Sequence, residues 1–442
     1  MLHHVRKRTT FAKNPHNTNM QNKSNAWLWI PTLYFASGLP YHAITSISDI
    51  MYKDMGIGNA QIAMYTSLLL IPWTIKPLWS PFVEMISTRR KWTLASQLLL
   101  AICFAAIALA IPSSHFLALT LVALLAGAFV SSTHDIALDG FYILALPQEK
   151  QSFFSGIRNT FYRIATVFSS GILVMFANGV AQKSGNEQTA WSATFAITGI
   201  IMLALYLYHK KAMPKPQNDT AGTTNSIKDA FCNYGDIIKT YFQKPGIWQA
   251  LLFLLLFRFP EAQLGKMSKL FLMDPTSSGG LQLDKGDIGF IYGVVGVIGL
   301  IIGGIAGGIC ISRKGLKYWL WPMVIAISLP DAVYIYMSML QPSNLYIVGS
   351  CIFIEQLGYG FGFTAYTLYM IYFAQGKYPT AHFAISTAFM SLGMMLPGMF
   401  AGKLQEAMGY ENFFIWVTAC TFITFAVSAL IKIDPGFGKR HK

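Results

Sequence analysis

Charge is scarce in this chain. Only 12% of its 442 residues are Asp, Glu, Lys or Arg, about half of what a soluble domain carries. With 54% of the residues hydrophobic, there is too much apolar surface for one water-soluble core, and part of it must face lipid. No GxxxxGK[ST] loop occurs, so ATP is not expected to drive any process from within the chain. The five cysteines form no CxxC or metal-ligand spacing, which excludes a zinc module and leaves them as packing residues. No A-x-A-like cleavage site follows the basic N-terminal segment, so the first apolar run is expected to direct insertion itself.

What is abundant is apolar sequence in runs of roughly 20 residues, the length that crosses a hydrocarbon core of about 30 Å. Twelve runs can be drawn, at 27–47, 60–79, 92–111, 116–146, 153–176, 191–208, 247–272, 288–310, 318–340, 345–374, 382–401 and 413–433. The net charge of +14 is concentrated in alternate loops, which removes the case for a nucleic-acid partner. Arg6, Lys7, Arg8, Lys13 and Lys23 precede the first run, Arg89, Arg90 and Lys91 follow the second, and Lys210 and Lys211 follow the sixth. Arg313, Lys314 and Lys317 follow the eighth, and Lys439, Arg440 and Lys442 close the chain. The intervening loops hold single lysines (Lys53, Lys183, Lys403), with Lys266, Lys269 and Lys285 as one richer cluster. By the positive-inside rule both termini are cytoplasmic, which requires an even number of spans.

The longest polar stretch, around 209–246, divides the runs six and six. GIGNAQIAMY at 56–65 precedes the second run as LDKGDIGFIY at 283–292 precedes the eighth, an offset of about 225 residues. The expected organisation is a cytoplasmic tail at 1–25, a six-helix half at 26–208, a linker at 209–246, a second six-helix half at 247–433 and a tail at 434–442. The fold class is therefore all-α and integral to the membrane, with twelve transmembrane helices in two pseudo-symmetric halves, the plan of the major facilitator fold. In SPFVEMISTRRKW, Glu84 is expected to gate by pairing with a basic group when the cytoplasmic side closes, while Arg89 and Arg90 hold the loop; topogenic charge alone is the plainer reading.

An ionisable group within a span is costly, so each is a candidate for function. The fourth run, SSTHDIALDGFYILALP, carries His134, Asp135 and Asp139, the two acids one turn apart on one face. Counting back from Pro147, Asp139 is about 12 Å deep and Asp135 about 18 Å deep. In the fifth run Arg158 and Arg163 lie at about 9 and 16 Å, so Asp139 is expected to meet Arg158, and Asp135 to meet Arg163. Two acids in one dry site cannot both ionise cheaply, so one is expected to hold a proton at neutral pH; a static salt-bridge network is the alternative. The seventh run places Arg258 and Glu261 around Pro260, a break that can line a cavity. The tenth places Glu355 and Gln356 mid-membrane beside glycines and aromatics. Lys76 is read either as functional or as snorkelling to the surface, and the glycine run of the eighth span as close helix packing.

These residues resemble the AmpG muropeptide permeases and the related acetyl-CoA transporters, a branch of the major facilitators. The resemblance runs through SGLP (37–40), KPLWSPFVE (76–84), HDIALDGFYILALP (134–147), YR (162–163), RFPEA (258–262), FIEQLGYGFG (353–362) and TAHFAI (380–385). It implies that Asp135 and Asp139 take part in transport. His134 stands where the permeases have glutamine, Phe141 where they have tryptophan, Glu84 where they have aspartate and Gln356 where they have asparagine.

The expected function is a proton-coupled importer of anhydro-muropeptides or a related amino sugar or oligosaccharide, working by alternating access as a monomer in the cytoplasmic membrane. Asp135, Asp139 and His134 are assigned to proton coupling, and Arg158, Arg163, Arg258, Glu261, Glu355 and Gln356 to the substrate. No cofactor or metal is expected, and the partners are a small-molecule substrate, protons and the bilayer. A carrier for acetyl-CoA or another CoA ester is the rival within transport. A membrane-embedded acyl- or glycosyltransferase is the rival from another class.

Overall fold

The computed structural model describes residues 25–439 except 81–82, 84–85, 147, 218, 221–226 and 377. Among the described residues all regular structure is helical. The first half consists of α1 (30–54), α2 (59–78), α3 (Arg89–Ala110), α4 (Phe116–Ala145), α5 (148–184) and α6 (Glu187–Ala212). A linker helix, α7 (Ile227–Phe242), leads to α8 (Ile247–Met273), α9 (Lys285–Lys314), α10 (Leu316–Leu340), α11 (Leu345–Ala374), α12 (379–408) and α13 (410–430). The last two run on without a gap except at Gly409, whose φ of 76° and ψ of 169° turn the chain back. That is a conformation only glycine adopts without strain.

Among the described residues eight segments are long and apolar enough to span by those two criteria alone, with Ala381–Leu430 counted as one. The other spans are disguised by their irregularities. α1 carries an inserted π-turn at Ala43–Ile47 after Pro40, and α2 is broken around Pro72 and Pro77. Each proline removes a ladder donor and crowds the preceding turn. α11 is diluted by Glu355, Gln356 and a run of glycines and tyrosines. Large apolar side chains such as Leu109, Phe422 and Tyr346 stand 81%, 77% and 88% exposed, the outward belt expected of helices solvated by lipid tails rather than water.

Among the described residues the start of α1 and the segment after α13 lie at one end of the bundle, against the ends of α6 and α11; this is here the terminal end, and the opposite one is the far end. The linker is tied to both halves at the terminal end. The Asp219 carboxylate accepts from the Arg89 and Arg90 backbone N–H groups at 2.9 and 3.0 Å, satisfying open donors at the start of α3 as an N-cap does. α7 packs on α12, with the buried Tyr241 hydroxyl 3.0 Å from Ser386 and Thr240 3.2 Å from His382. Lys244 follows, donating to the Phe373 and Gln375 carbonyls, and burial lowers its ammonium from the usual lysine range.

At the far end the halves are latched. Lys53 pairs with Asp274, and Asp274 also accepts from Asn59 at 2.9 Å and from Tyr410 at 2.5 Å. Lys285 bridges Asp54, at 2.9 Å, and Glu187, while Lys266 reaches Asp49 at 3.4 Å and Thr66 at 2.8 Å. Deeper in, Gly293 of α9 abuts α5 so closely that a Cβ there would sit 2.3 Å from the Gly171 backbone.

Candidate functional site

The π-turn in α1 and the paired prolines of α2 bring Ser37 and Trp73 against the middle of α4. Asp135 is held there between them. Ser37 Oγ donates to its Oδ1 at 2.6 Å and Trp73 Nε1 to its Oδ2 at 3.1 Å. Arg163 does not meet it. The expected Asp135–Arg163 pair is absent from this state, because Ser37 and Trp73 take both carboxyl oxygens, while the Arg163 guanidinium is turned across the cleft to within 3.6 Å of the Cβ direction of Gly304 in α9. Arg163 makes no hydrogen bond or ion pair among the described residues. Lys76 also lacks a bonded partner among them, yet lies within electrostatic reach of Asp135. Its amine belongs with the site rather than with the surface alone.

One turn along, the other expected pair is present. Arg158 Nη1 stands 3.5 Å from Asp139, and Tyr34 joins them, donating to Asp139 at 3.0 Å and accepting from Arg158 at 3.1 Å. The guanidinium also lies 5.1 and 5.2 Å from the Tyr34 and Tyr142 ring centroids, a favourable cation–π arrangement. Asp139 is 56% exposed and Arg158 31%. The inter-half ion pairs among the described residues all lie at the far end.

His134 points elsewhere. Adjacent helical residues are about 100° apart, so when Asp135 faces the cleft His134 faces the packing behind it. There its Nε2 is 3.1 Å from Gln97, whose carbonyl is 3.0 Å from His209 Nδ1, and Thr32 lies 2.9 Å from His209 Nε2. This row joins α1, α3, α4 and α6, with no hydrogen bond to either aspartate among the described residues.

In the second half α8 breaks at Phe257–Arg258, two residues before Pro260. Arg258 is 8% exposed and binds Glu261 through two contacts of 2.5 and 2.7 Å and Tyr359 at 2.8 Å. The fork-to-carboxylate geometry compensates both buried charges. Glu355 and Gln356 bond to each other, the amide donating to the carboxyl at 3.2 and 2.9 Å. Arg90 donates to the Met213 and Lys210 carbonyls and so holds the end of α6. Arg89 lies against Gly140 of α4. Glu84 lies outside the described residues. Among the described residues no cluster of metal-ligating side chains occurs.

A family model described as "Major Facilitator Superfamily" matches residues 32–402. The anhydromuropeptide permease of Escherichia coli (strain K12) is 25% identical over 394 residues, 88% of this chain and 76% of that protein. Among solved structures, a D-xylose–proton symporter superposes with a TM-score of 0.70 at 11% identity, covering 92% of this chain and 97% of that one. The nucleoside transporter NupG gives 0.63 at 16% identity, covering 93% and 100%. These likenesses establish the fold and leave the cargo open.

Proposed function

The chain belongs to the major facilitator superfamily and is a secondary transporter rather than an enzyme, and from that premise we propose that it is a proton-coupled importer of anhydro-muropeptides or a closely related amino sugar. The observation that carries the reading is Asp135, an acid in the middle of a span, held by two neutral donors and bonded to no cation. Such a group is cheap to bury as a neutral carboxyl and costly as an anion, so its proton is one that a change of hydration can release. Asp139, bonded to Arg158 and open to the terminal side, is the next acceptor along α4. His134 acts through the packing of α4 rather than as a carrier.

Arg163, Lys76 and Lys269 face the interior without a bonded partner among the described residues. Unpaired cations in a cleft suit an anionic cargo, and the carboxylates of a muropeptide peptide are of that kind. Arg258, with Glu261, Tyr359 and Phe363, offers a polar group on aromatic rings, suited to a sugar face. The basic loops put the terminal end in the cytoplasm, so the latched far end is periplasmic and this state is inward-open. A CoA ester carrier would draw on the same cations.

Uptake into proteoliposomes tests the reading, with radiolabelled anhydro-muropeptides, amino sugars and CoA esters offered with and without an inward pH gradient. Muropeptide accumulation is expected only with the gradient. Asp135→Asn is expected to lose accumulation while keeping exchange of labelled for unlabelled cargo. Unchanged gradient-driven uptake in that variant would sink the assignment, and uptake of the esters alone would favour the rival cargo.

A further inference from the structure

The second half buries two acids that the coupling site on α4 does not use. Asp331 sits where α10 tightens at Leu329–Ala332 behind Pro330. It is 3% exposed, and its Oδ2 finds no hydrogen-bond partner. Glu355 of α11 is 6% exposed and, among the described residues, bonded only by the amide of its neighbour Gln356. Counting from the far ends of their helices, Asp331 is about 14 Å deep and Glu355 about 15 Å deep. α10 packs on α11, and the two carboxyls lie within electrostatic reach of each other.

Among the described residues no cation is bonded to either acid. α8 contributes Glu261, a third acid within reach of both, and Ser268. α9 and α10 contribute Tyr292 and Tyr334, whose hydroxyls are bonded to each other. Arg258 is committed to Glu261 and Tyr359. The Lys269 ammonium lies 6.0 Å from the Tyr292 ring centroid, with Asp49 as its acidic neighbour. Two anions at low dielectric, without a counter-ion and with an orphaned oxygen, are far costlier than two neutral carboxyls. Burial without a bonded cation favours bound hydrogen over charge at this pair.

We propose that Asp331 and Glu355 form a second proton-binding site, on the far-end side of the midplane and separate from Asp135 and Asp139, which holds its proton while the far end is latched and exchanges it when that end opens. Opening the latch admits water to this depth, and hydration removes the penalty that keeps the carboxyls neutral. Glu355 is then a proton carrier and not a cargo ligand. The inference rests on the second half alone and stands or falls apart from the α4 assignment.

Proton counting on the purified protein tests it, in an Asp135→Asn, Asp139→Asn background so that α4 cannot contribute. In lightly buffered detergent solution, stepping from strongly alkaline pH, at which the site gives up its protons, to mildly acid pH should load at least one proton fewer per molecule in Glu355→Gln with Asp331→Asn than in the background protein. Glu355→Gln alone should unfold at nearly the background temperature, because an amide replaces a carboxyl that is already neutral. Equal proton counts would overturn the proposal, as would a large loss of stability in Glu355→Gln. A background count that sodium chloride lowers and choline chloride does not would make this a sodium site and also overturn it. Should the variants fail to fold, infrared spectroscopy of the background protein at neutral pH decides. A carbonyl-stretch band of buried protonated carboxyl supports the site, and its absence refutes it.

Discussion

Asp135 and Asp139 are one turn apart on the same helix, yet one is bonded by a hydroxyl and an indole and the other by a guanidinium and a phenol. Their different fates follow from neighbours contributed by α1, α2 and α5. Sequence spacing on α4 and α5 sufficed to match Asp139 with Arg158, since both lie near the shared turn and have few alternative partners. The same counting does not give Asp135 and Arg163 as a pair in this state. Depth fixes height but not azimuth, and the Arg163 side chain turns towards α9. Because Asp139 is 56% exposed, solvent screens its pair, and breaking it is expected to cost no more than about 1 kcal/mol. Thermal unfolding in detergent should show small, similar losses for Asp139→Asn and Arg158→Gln, and a double variant less impaired than their sum. A loss of several kcal/mol in either single variant would show that the pair is structural.

Among the described residues three helices carry a single inserted π-turn, α1, α5 and α9, and two of these turns meet where Gly171 touches Gly293. Such inserts re-aim side chains without ending a helix, and none is visible in a hydropathy pattern. The glycine run of α9 is likewise uneven. A Cβ at Gly303 would sit 2.1 Å from the Leu357 carbonyl of α11, whereas a Cβ at Gly308 would meet nothing within 4 Å among the described residues of other elements. Gly303→Val is therefore expected to lower stability by about 1–3 kcal/mol or more through overpacking, and Gly308→Ala to leave the unfolding temperature nearly unchanged. Equal effects at the two positions would contradict the packing of α9 on α11. His134 makes the same point for α4. Proximity in sequence to Asp135 suggested shared chemistry, but a helix separates neighbours by azimuth, and the histidine serves the junction of four helices.

For the molecule as a whole, the asymmetry between its two ends is the main functional feature. Lys266, Lys269 and Lys285 stood out as the one basic cluster on the side where basic residues are scarce. Lys285 bridges Asp54 and Glu187, and Lys266 reaches Asp49. They are latch residues, and the anomaly was a signal of inter-half pairing. Asp274→Asn removes the anion that Lys53, Asn59 and Tyr410 share, and losing such charge-assisted bonds is worth about 1–3 kcal/mol. The balance of far-end-closed to far-end-open molecules is then expected to fall by roughly ten- to hundredfold. Spin-label distances between the 55–58 loop and the turn at Gly409 would lengthen, and an unchanged distribution would remove the latch from the cycle. Glu84→Gln is expected to act oppositely, by weakening closure at the terminal end.

Hydropathy and charge placement were enough to establish a membrane protein of two six-helix halves with a polar linker between them, because both the span length and the cost of charge in lipid are set by the bilayer. They were also enough to single out the acids of α4, since an ionisable group in a span is conspicuous wherever it points. What each acid is bonded to, which cations stay free, which end is shut, and that Asp331 joins Glu355 were decided only by the packing of helices distant in the chain. Partners such as Ser37, Trp73 and Tyr34 are ordinary residues until backbone breaks in α1 and α2 rotate them into place, and rotation about a helix axis is the one coordinate that a count of residues along a span does not resolve.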